Sequence, residues 1–278
     1  MASPLADDLR AMVGVWHDHL EAFGPDAGTV VGTYAYLMPL TGATWGLEYA
    51  WDTDLRLLFD QRLVRLTNSL RLAEGSPGFL KLLQLSGVEK VAALHEDGME
   101  DLKLLGRYRI FHREPLRILE VPRPLPRAHL TSGRKRLRDS DSNALLDQDF
   151  DPRTTVLVDD GPERAPVTTF DGSARLVERK ADRLTVLTTS NQPGFLTVLE
   201  GVLPGWRVSI DGRPGTVERA NAIFVGTEVP AGNHRIEFRF LPPSALAGVG
   251  ISALTGLLLL LGGLQRLATA PGTGTGPR

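Results

Sequence analysis

The chain has 278 residues, 42% of them hydrophobic, with 31 lysines and arginines against 33 aspartates and glutamates. That balance creates no overall field toward nucleic acid or an acidic partner, and the length suits two modest domains or one with extensions. Cysteine is absent, which excludes disulfides, thiolate zinc sites and a cysteine nucleophile.

The opening MASPLADDLRAMVGVWHDHL is interrupted by Asp7, Asp8 and Arg10, and it lacks a basic start before an unbroken apolar run. It reads as the interior of something longer, or the start of an amphipathic helix, rather than as a secretory signal. His17 and His19 are two residues apart, which on a helix turns their rings to different faces and argues against a metal site. Residues 1–125 read as a mixed α/β region. In DTDLRLLFDQRLVRLTNSLRL the leucines recur at helical spacing with arginines opposite, predicting an amphipathic helix. In SPGFLKLLQLSGVEKVAAL, Ser76 is the expected N-cap, Pro77 the first helical residue and Gly87 the C-cap. Val88 to Leu94 should follow as a strand, and GRYRIFHREPLRILEVP alternates like a hairpin.

Residues 126–152 read as an extended, charged connector, entered through the proline-stiffened PRPLPRAHL. The basic cluster Arg134, Lys135, Arg136 and Arg138 could meet a phosphate or a lipid headgroup, but fits a solvated surface better. The acids Asp139, Asp141, Asp147, Asp149 and Asp151 lack the spacing, glycine and closing glutamate of a calcium loop.

Residues 153–242 predict an all-β antiparallel sandwich, jelly-roll-like. Short alternating runs (TTVLV, SARLVERK, RLTVLTTS, GFLTVLE, WRVSI, GTVER, AIFVGTEV, HRIEFRF) are separated by turn signals at Ala181-Asp182, Gln192-Pro193-Gly194, Asp211-Gly212 and Pro230-Ala231-Gly232-Asn233. Residues 243–265 predict a transmembrane helix, because Ala245 to Leu264 carries no charge over the ~20 residues a bilayer core requires. The competing reading is a buried helix of a soluble fold. Ser252 and Thr255 can return their hydroxyls to the helix backbone. Residues 266–278 read as a disordered tail. Arg235 and Arg239 precede the helix while Arg266 and Arg278 follow it, so the positive-inside rule does not orient it.

There is no Walker A loop, no G-x-S-x-G elbow and no H-E-x-x-H helix. His95, His112, His129 and His234 are scattered. No catalytic residue, metal ligand or cofactor site is predicted.

One extended motif does stand out. LPGWRVSIDGRPGTVERANAIFVGTEVPAGNHRIEFRFLPPSALAGVGIS combines a P-G-W strand entry (Pro204, Gly205, Trp206) with a D-G turn (Asp211, Gly212). An R-A-N segment follows (Arg219, Ala220, Asn221), then a V-P-A-G-x-H turn (Val229, Pro230, Ala231, Gly232, His234) and a proline before the last helix. It resembles the C-terminal signature of YfhO-type bacterial membrane proteins. FDPRTTVLVDDGP, PRAHL and LLQLSGVEKVAAL resemble that family more loosely.

The resemblance implies a GT-C-like polytopic glycosyltransferase that uses a lipid-linked sugar donor outside the cytoplasmic membrane. Its catalytic acid would lie in an early loop between membrane helices. This sequence has one predicted membrane helix, so the resemblance implies an extracytoplasmic C-terminal domain and last helix, present as a fragment, a split subunit or the product of a mis-called start, with the tail cytoplasmic. Its expected partners are the lipid bilayer, a lipid-linked sugar or envelope glycan, and the polytopic part of such an enzyme; no nucleic acid is expected. Sugar contact would fall to the aromatics concentrated in TYAYLMPLTGATWGLEYAW, namely Tyr34, Tyr36, Trp45, Tyr49 and Trp51, whose alternative is an ordinary core cluster.

Two readings follow: an accessory domain of a membrane glycosyltransferase without complete catalytic machinery, or an independent membrane-anchored β-sandwich that binds carbohydrate or acts as a scaffold. A stand-alone soluble hydrolase is disfavoured, because nothing assembles a nucleophile and base. Within the motif, alternation puts Trp206, Val208 and Ile210 on one face, which favours a core position for Trp206 over a ligand platform.

Overall fold

The computed structural model describes residues 43, 46–51, 60–110, 114–137 and 142–269. The N-terminal amphipathic stretch, His17, His19, His112, Tyr34, Tyr36, Trp45, Arg138, Asp139, Asp141 and residues 270–278 lie outside the described residues.

Two helices lead. Helix α1, Gln61–Leu72, starts where the Asp60 carboxylate accepts the Arg62 N–H at 2.7 Å, and it buries Leu66, Thr67 and Leu70. Helix α2, Pro77–Leu85, begins with proline at its first turn, where a missing N–H costs nothing. Ser76 holds the N-cap position but spends its hydroxyl on the Ala73 carbonyl at 2.6 Å, closing the preceding turn instead. At the other end Ser86 is the cap, and Gly87, at φ +64°, is the left-handed residue after it. Its N–H reaches the Gln84 carbonyl at 3.1 Å, and the Val88 N–H reaches Leu83 at 3.0 Å. This pair of bonds is a Schellman motif.

The strands β1 (Lys90–Ala93), β2 (Lys103–Tyr108) and β3 (Leu116–Glu120) form a small antiparallel sheet, in which β3 pairs with both neighbours. The predicted hairpin is therefore the β2–β3 pair.

The remaining strands build a two-sheet sandwich. They are β4 (Ala128–Thr131), β5 (Gly133–Arg136), β6 (Thr155–Val158), β7 (Gly172–Lys180), β8 (Arg183–Ser190), β9 (Gly194–Gly201), β10 (Trp206–Ile210), β11 (Arg213–Gly215), β12 (Glu218–Ala220), β13 (Phe224–Val229) and β14 (Gly232–Phe240). One sheet runs β11-β10-β14-β8-β7, the other β4-β9-β13-β12-β6-β5. Every pairing is antiparallel except β5 with β6. The stretch expected as a connector thus supplies two strands: Arg127 to Thr131 lines up against β9, with the Leu199 N–H on the Arg127 carbonyl at 2.8 Å. Prolines crowd the run before β4, and none lies within it.

The four turn signals divide into two kinds. Ala181-Asp182 and Asp211-Gly212 join neighbours in one sheet, whereas Gln192–Gly194 and Pro230–Asn233 carry the chain from one sheet to the other.

Between the sheets lie Leu184, Val186, Val208, Ile236 and Phe238 from the five-stranded side, with Leu130, Leu196, Val198 and Val225 from the other. The six-stranded sheet is covered on its second face too. Phe195, Val156 and Val158 are buried there beside Ala220, whereas Leu157, alternating with them along β6, points to the opposite side and with Ala222 joins the core built by α1, α2 and β3. Burial on both faces explains why TVLV and GFLTVL read as continuous apolar runs rather than alternating ones.

Helix α3, Pro243–Thr269, continues β14 after two residues. None of its apolar window Pro243–Leu261 is buried, and Leu254, Leu257, Leu258, Leu259 and Leu260 are exposed. Thr255 returns its hydroxyl to the Ile251 carbonyl at 2.9 Å, as its place in an apolar helix demands. The helix extends past residue 265, because Arg266, Leu267 and Ala268 are strong helix formers.

Candidate functional site at the sandwich–helix junction

The P-G-W entry lies where the sandwich meets α3. Gly205 has φ +120°, and a Cβ there would stand 2.8 Å from the Pro242 Cα, so only glycine lets this loop close on residues 241–242. The Leu241 N–H then reaches the Gly205 carbonyl at 2.9 Å. Trp206 pairs across the sheet with Phe240, ring centroids 5.1 Å apart at 48°, and its indole N–H donates to the Gly201 carbonyl at 3.1 Å. Trp206 does share the inner face with Val208 and Ile210, but it is half-buried at the rim, because the sandwich ends there. The motif is a strut that fixes the last residues before the apolar helix.

The D-G turn and the histidine form a clip at the opposite end of β10. Asp211 and Gly212 take φ +50° and +79°, the type I′ hairpin expected from sequence. One Asp211 oxygen accepts the Arg235 N–H at 2.8 Å, and the other meets His234 Nδ1 at 2.6 Å. His234 Nε2 faces the Ala231 carbonyl at 3.1 Å. With an acceptor at each ring nitrogen the imidazolium is favoured: the hydrogen bond to Asp211 raises the His234 pKa above its usual value. Asp211 is held below the usual carboxylate range, first by the Arg235 N–H and then by His234.

The R-A-N segment ties the helical layer to the sheet. Asn221 and Ala222 have φ of +46° and +70°. The Asn221 carboxamide oxygen accepts the Leu157 N–H at 2.9 Å while the Asn221 backbone N–H donates to the Leu157 carbonyl at 2.7 Å. The side chain thereby stands in for a strand where the β6–β12 pairing stops at Ala220 and Val158. Arg219 lies 3.3 Å from Asp159 and 3.7 Å from Asp60, and Arg62 meets Asp159 at 2.5 Å. These charges tie the start of α1 to the sheet, a linkage that sequence separation hid.

The basic cluster does not face outward as a unit. Arg134 is 5% exposed, lies 5.6 Å over the Phe195 ring and pairs with Glu218 at 2.5 Å and Glu228 at 2.8 Å, while Arg136 pairs with Asp160. Asp147 and Asp151 accept N–H groups two residues ahead, the local turn habit of aspartate. Among the described residues no group of three or more histidines and carboxylates is placed to hold a metal. His129 is buried, with Nδ1 3.2 Å from the Pro126 carbonyl, and burial pushes its pKa down to about 4. Of the expected sugar-contact aromatics, Trp51 packs against the helical core and Tyr49 is half-buried.

Fold and site together define a β-sandwich carried on an exposed apolar helix of bilayer-spanning length. The sequence model of the family described as Bacterial membrane protein YfhO matches residues 183–252, from β8 through the junction and into α3. This segment therefore carries the YfhO signature, and it contains every strut and clip residue described above. No curated protein matches the chain, and no solved structure matches it.

Proposed function

We propose that this protein is a membrane-anchored, extracytoplasmic accessory domain of a YfhO-like membrane glycosyltransferase that modifies an envelope glycan or glycolipid. The observation that carries the reading is the reach of the family match. It runs from β8 to β14, through strands of both sheets, and on into the first part of α3, so the shared feature is the sandwich joined to its helix. An apolar helix with no buried side requires lipid around it, and the strut at Gly205 holds the sandwich against its start. The helix then anchors and the sandwich faces glycan. Transfer of labelled sugar from a lipid-linked donor onto envelope glycan, in membranes with and without the chain, tests this. Higher transfer with the chain is expected; equal transfer, with the chain folded and membrane-bound, would contradict it.

A further inference from the structure

The register of the five-stranded sheet places four cations in one row. Arg207 on β10 is opposite Arg239 on β14, Arg239 is opposite Arg183 on β8, and Arg183 is opposite Lys180 on β7. All four lie on the outer face, since their neighbours Val208, Phe238 and Leu184 point into the core. The Lys180 and Arg239 side chains are 62% and 61% exposed. In the next row Glu178 and Glu237 are engaged, the first with Lys180 at 2.6 Å and the second with Arg235 at 2.9 Å and Arg239 at 3.6 Å. Arg183 is in electrostatic reach of both acids and, like Arg207, makes no salt bridge among the described residues. Asp182, in the turn beyond, is the acid on the same edge.

This row lies at the end from which α3 departs. Arg239 is four residues before Pro243, about 13 Å at the ~3.3 Å per residue of a strand. Between the row and the helix is an apolar rim, with Leu203 53% and Leu241 41% exposed beside the half-buried Trp206. Cations above, an amphipathic indole between and leucines below match the layering of a bilayer interface from headgroup to acyl chain.

We propose that this edge of the sandwich is a lipid-contacting face. Lys180, Arg183, Arg239 and Arg207 engage the phosphates of anionic phospholipids, while Leu203, Leu241 and Trp206 enter the interface. The proposal rests on the reading that α3 spans the bilayer, and it adds that the sandwich lies on the surface instead of standing free above it. Long basic side chains reach phosphates while their stems cover apolar surface, and the electrostatic part fades with salt.

The chain has no cysteine, so a nitroxide on Leu203→Cys reports one place. The 278-residue chain is reconstituted in vesicles of phosphatidylcholine with or without one-third phosphatidylglycerol. Access of a water-soluble nickel chelate to the label is then measured by power saturation. Access should fall when phosphatidylglycerol is present, and the fall should vanish in high salt or when K180Q, R183Q, R207Q and R239Q are combined. A parallel label at Leu258→Cys, within α3, reports the anchor independently. A Leu203 label equally open to the chelate in both lipids, with the Leu258 label immersed, overturns the docking face and leaves the anchor intact. Shielding of Leu203 that is the same in both lipids overturns the cationic row. A Leu258 label open to the chelate overturns the anchor itself.

Discussion

At the residue scale, the motif is made of side chains that close backbone gaps. Trp206 illustrates the point: its ring covers Phe240 and its N–H satisfies the Gly201 carbonyl. A fully buried tryptophan cut to alanine costs about 3–5 kcal/mol. Half burial reduces that, and Trp206→Ala should cost about 2–3 kcal/mol by chemical denaturation; a change near zero would remove the strut from the account.

The two best-placed histidines respond to pH in opposite senses. His129 is kept neutral by burial, with a folded pKa of about 4 against an unfolded value near 6.5. Its depressed pKa means that stability is intact above the unfolded pKa and drains away as pH falls from about 6.5 toward 4, by about 3 kcal/mol. His234 has a raised pKa, so its clip contributes fully below about 6.5 and fades as pH rises through the folded value. Asp211, with its lowered pKa, contributes above about 3.9 and fails only at stronger acid. His129→Gln should therefore flatten the acid limb of a stability–pH profile, whereas His234→Gln should flatten the decline that sets in as pH rises past about 6.5. A profile unchanged by either substitution would contradict both assignments.

At the element scale, turns decide more than strands. Gly87 in the Schellman motif has φ +64°, and Gly87→Ala should destabilise by about 1 kcal/mol or more, since a Cβ there would also meet the Leu125 carbonyl at 3.0 Å. An unaltered thermal midpoint would contradict that. The helix cap, the I′ turn at Asp211 and the apolar run of α3 were legible in the sequence because each depends on residues adjacent in the chain. The place of PRAHL in the sheet was not, because β4 is defined by its register with β9, some seventy residues away. Nor could sequence show that Arg134 is buried over Phe195. A run of basic residues signals solvent until the partners Glu218 and Glu228 are brought from another strand pair. The row of Lys180, Arg183, Arg239 and Arg207 was hidden for the same reason: no two neighbouring strands show it until their register is known.

At the scale of the whole molecule, the helical layer and the sandwich share a buried seam. Leu157 and Ala222 belong to the core of α1 and α2 while their neighbours Val156, Val158 and Ala220 lie under the other side of the six-stranded sheet. Asn221 binds Leu157 at the seam. Far-UV circular dichroism and tryptophan fluorescence should accordingly report one coincident transition, and Asn221→Ala should shift both together by about 2–3 kcal/mol, the cost of orphaning a buried N–H. Separate transitions would divide the molecule.

The central claim is that α3 crosses the bilayer and holds the sandwich outside the cytoplasm at the membrane surface. Two single-cysteine variants test it most directly in intact cells, using a membrane-impermeant maleimide: Arg213→Cys on the β10–β11 hairpin and Ala268→Cys near the end of α3. The account predicts labelling at Arg213→Cys without permeabilisation, and at Ala268→Cys only after it. Labelling of both on the same side, or the reverse pattern, would contradict it.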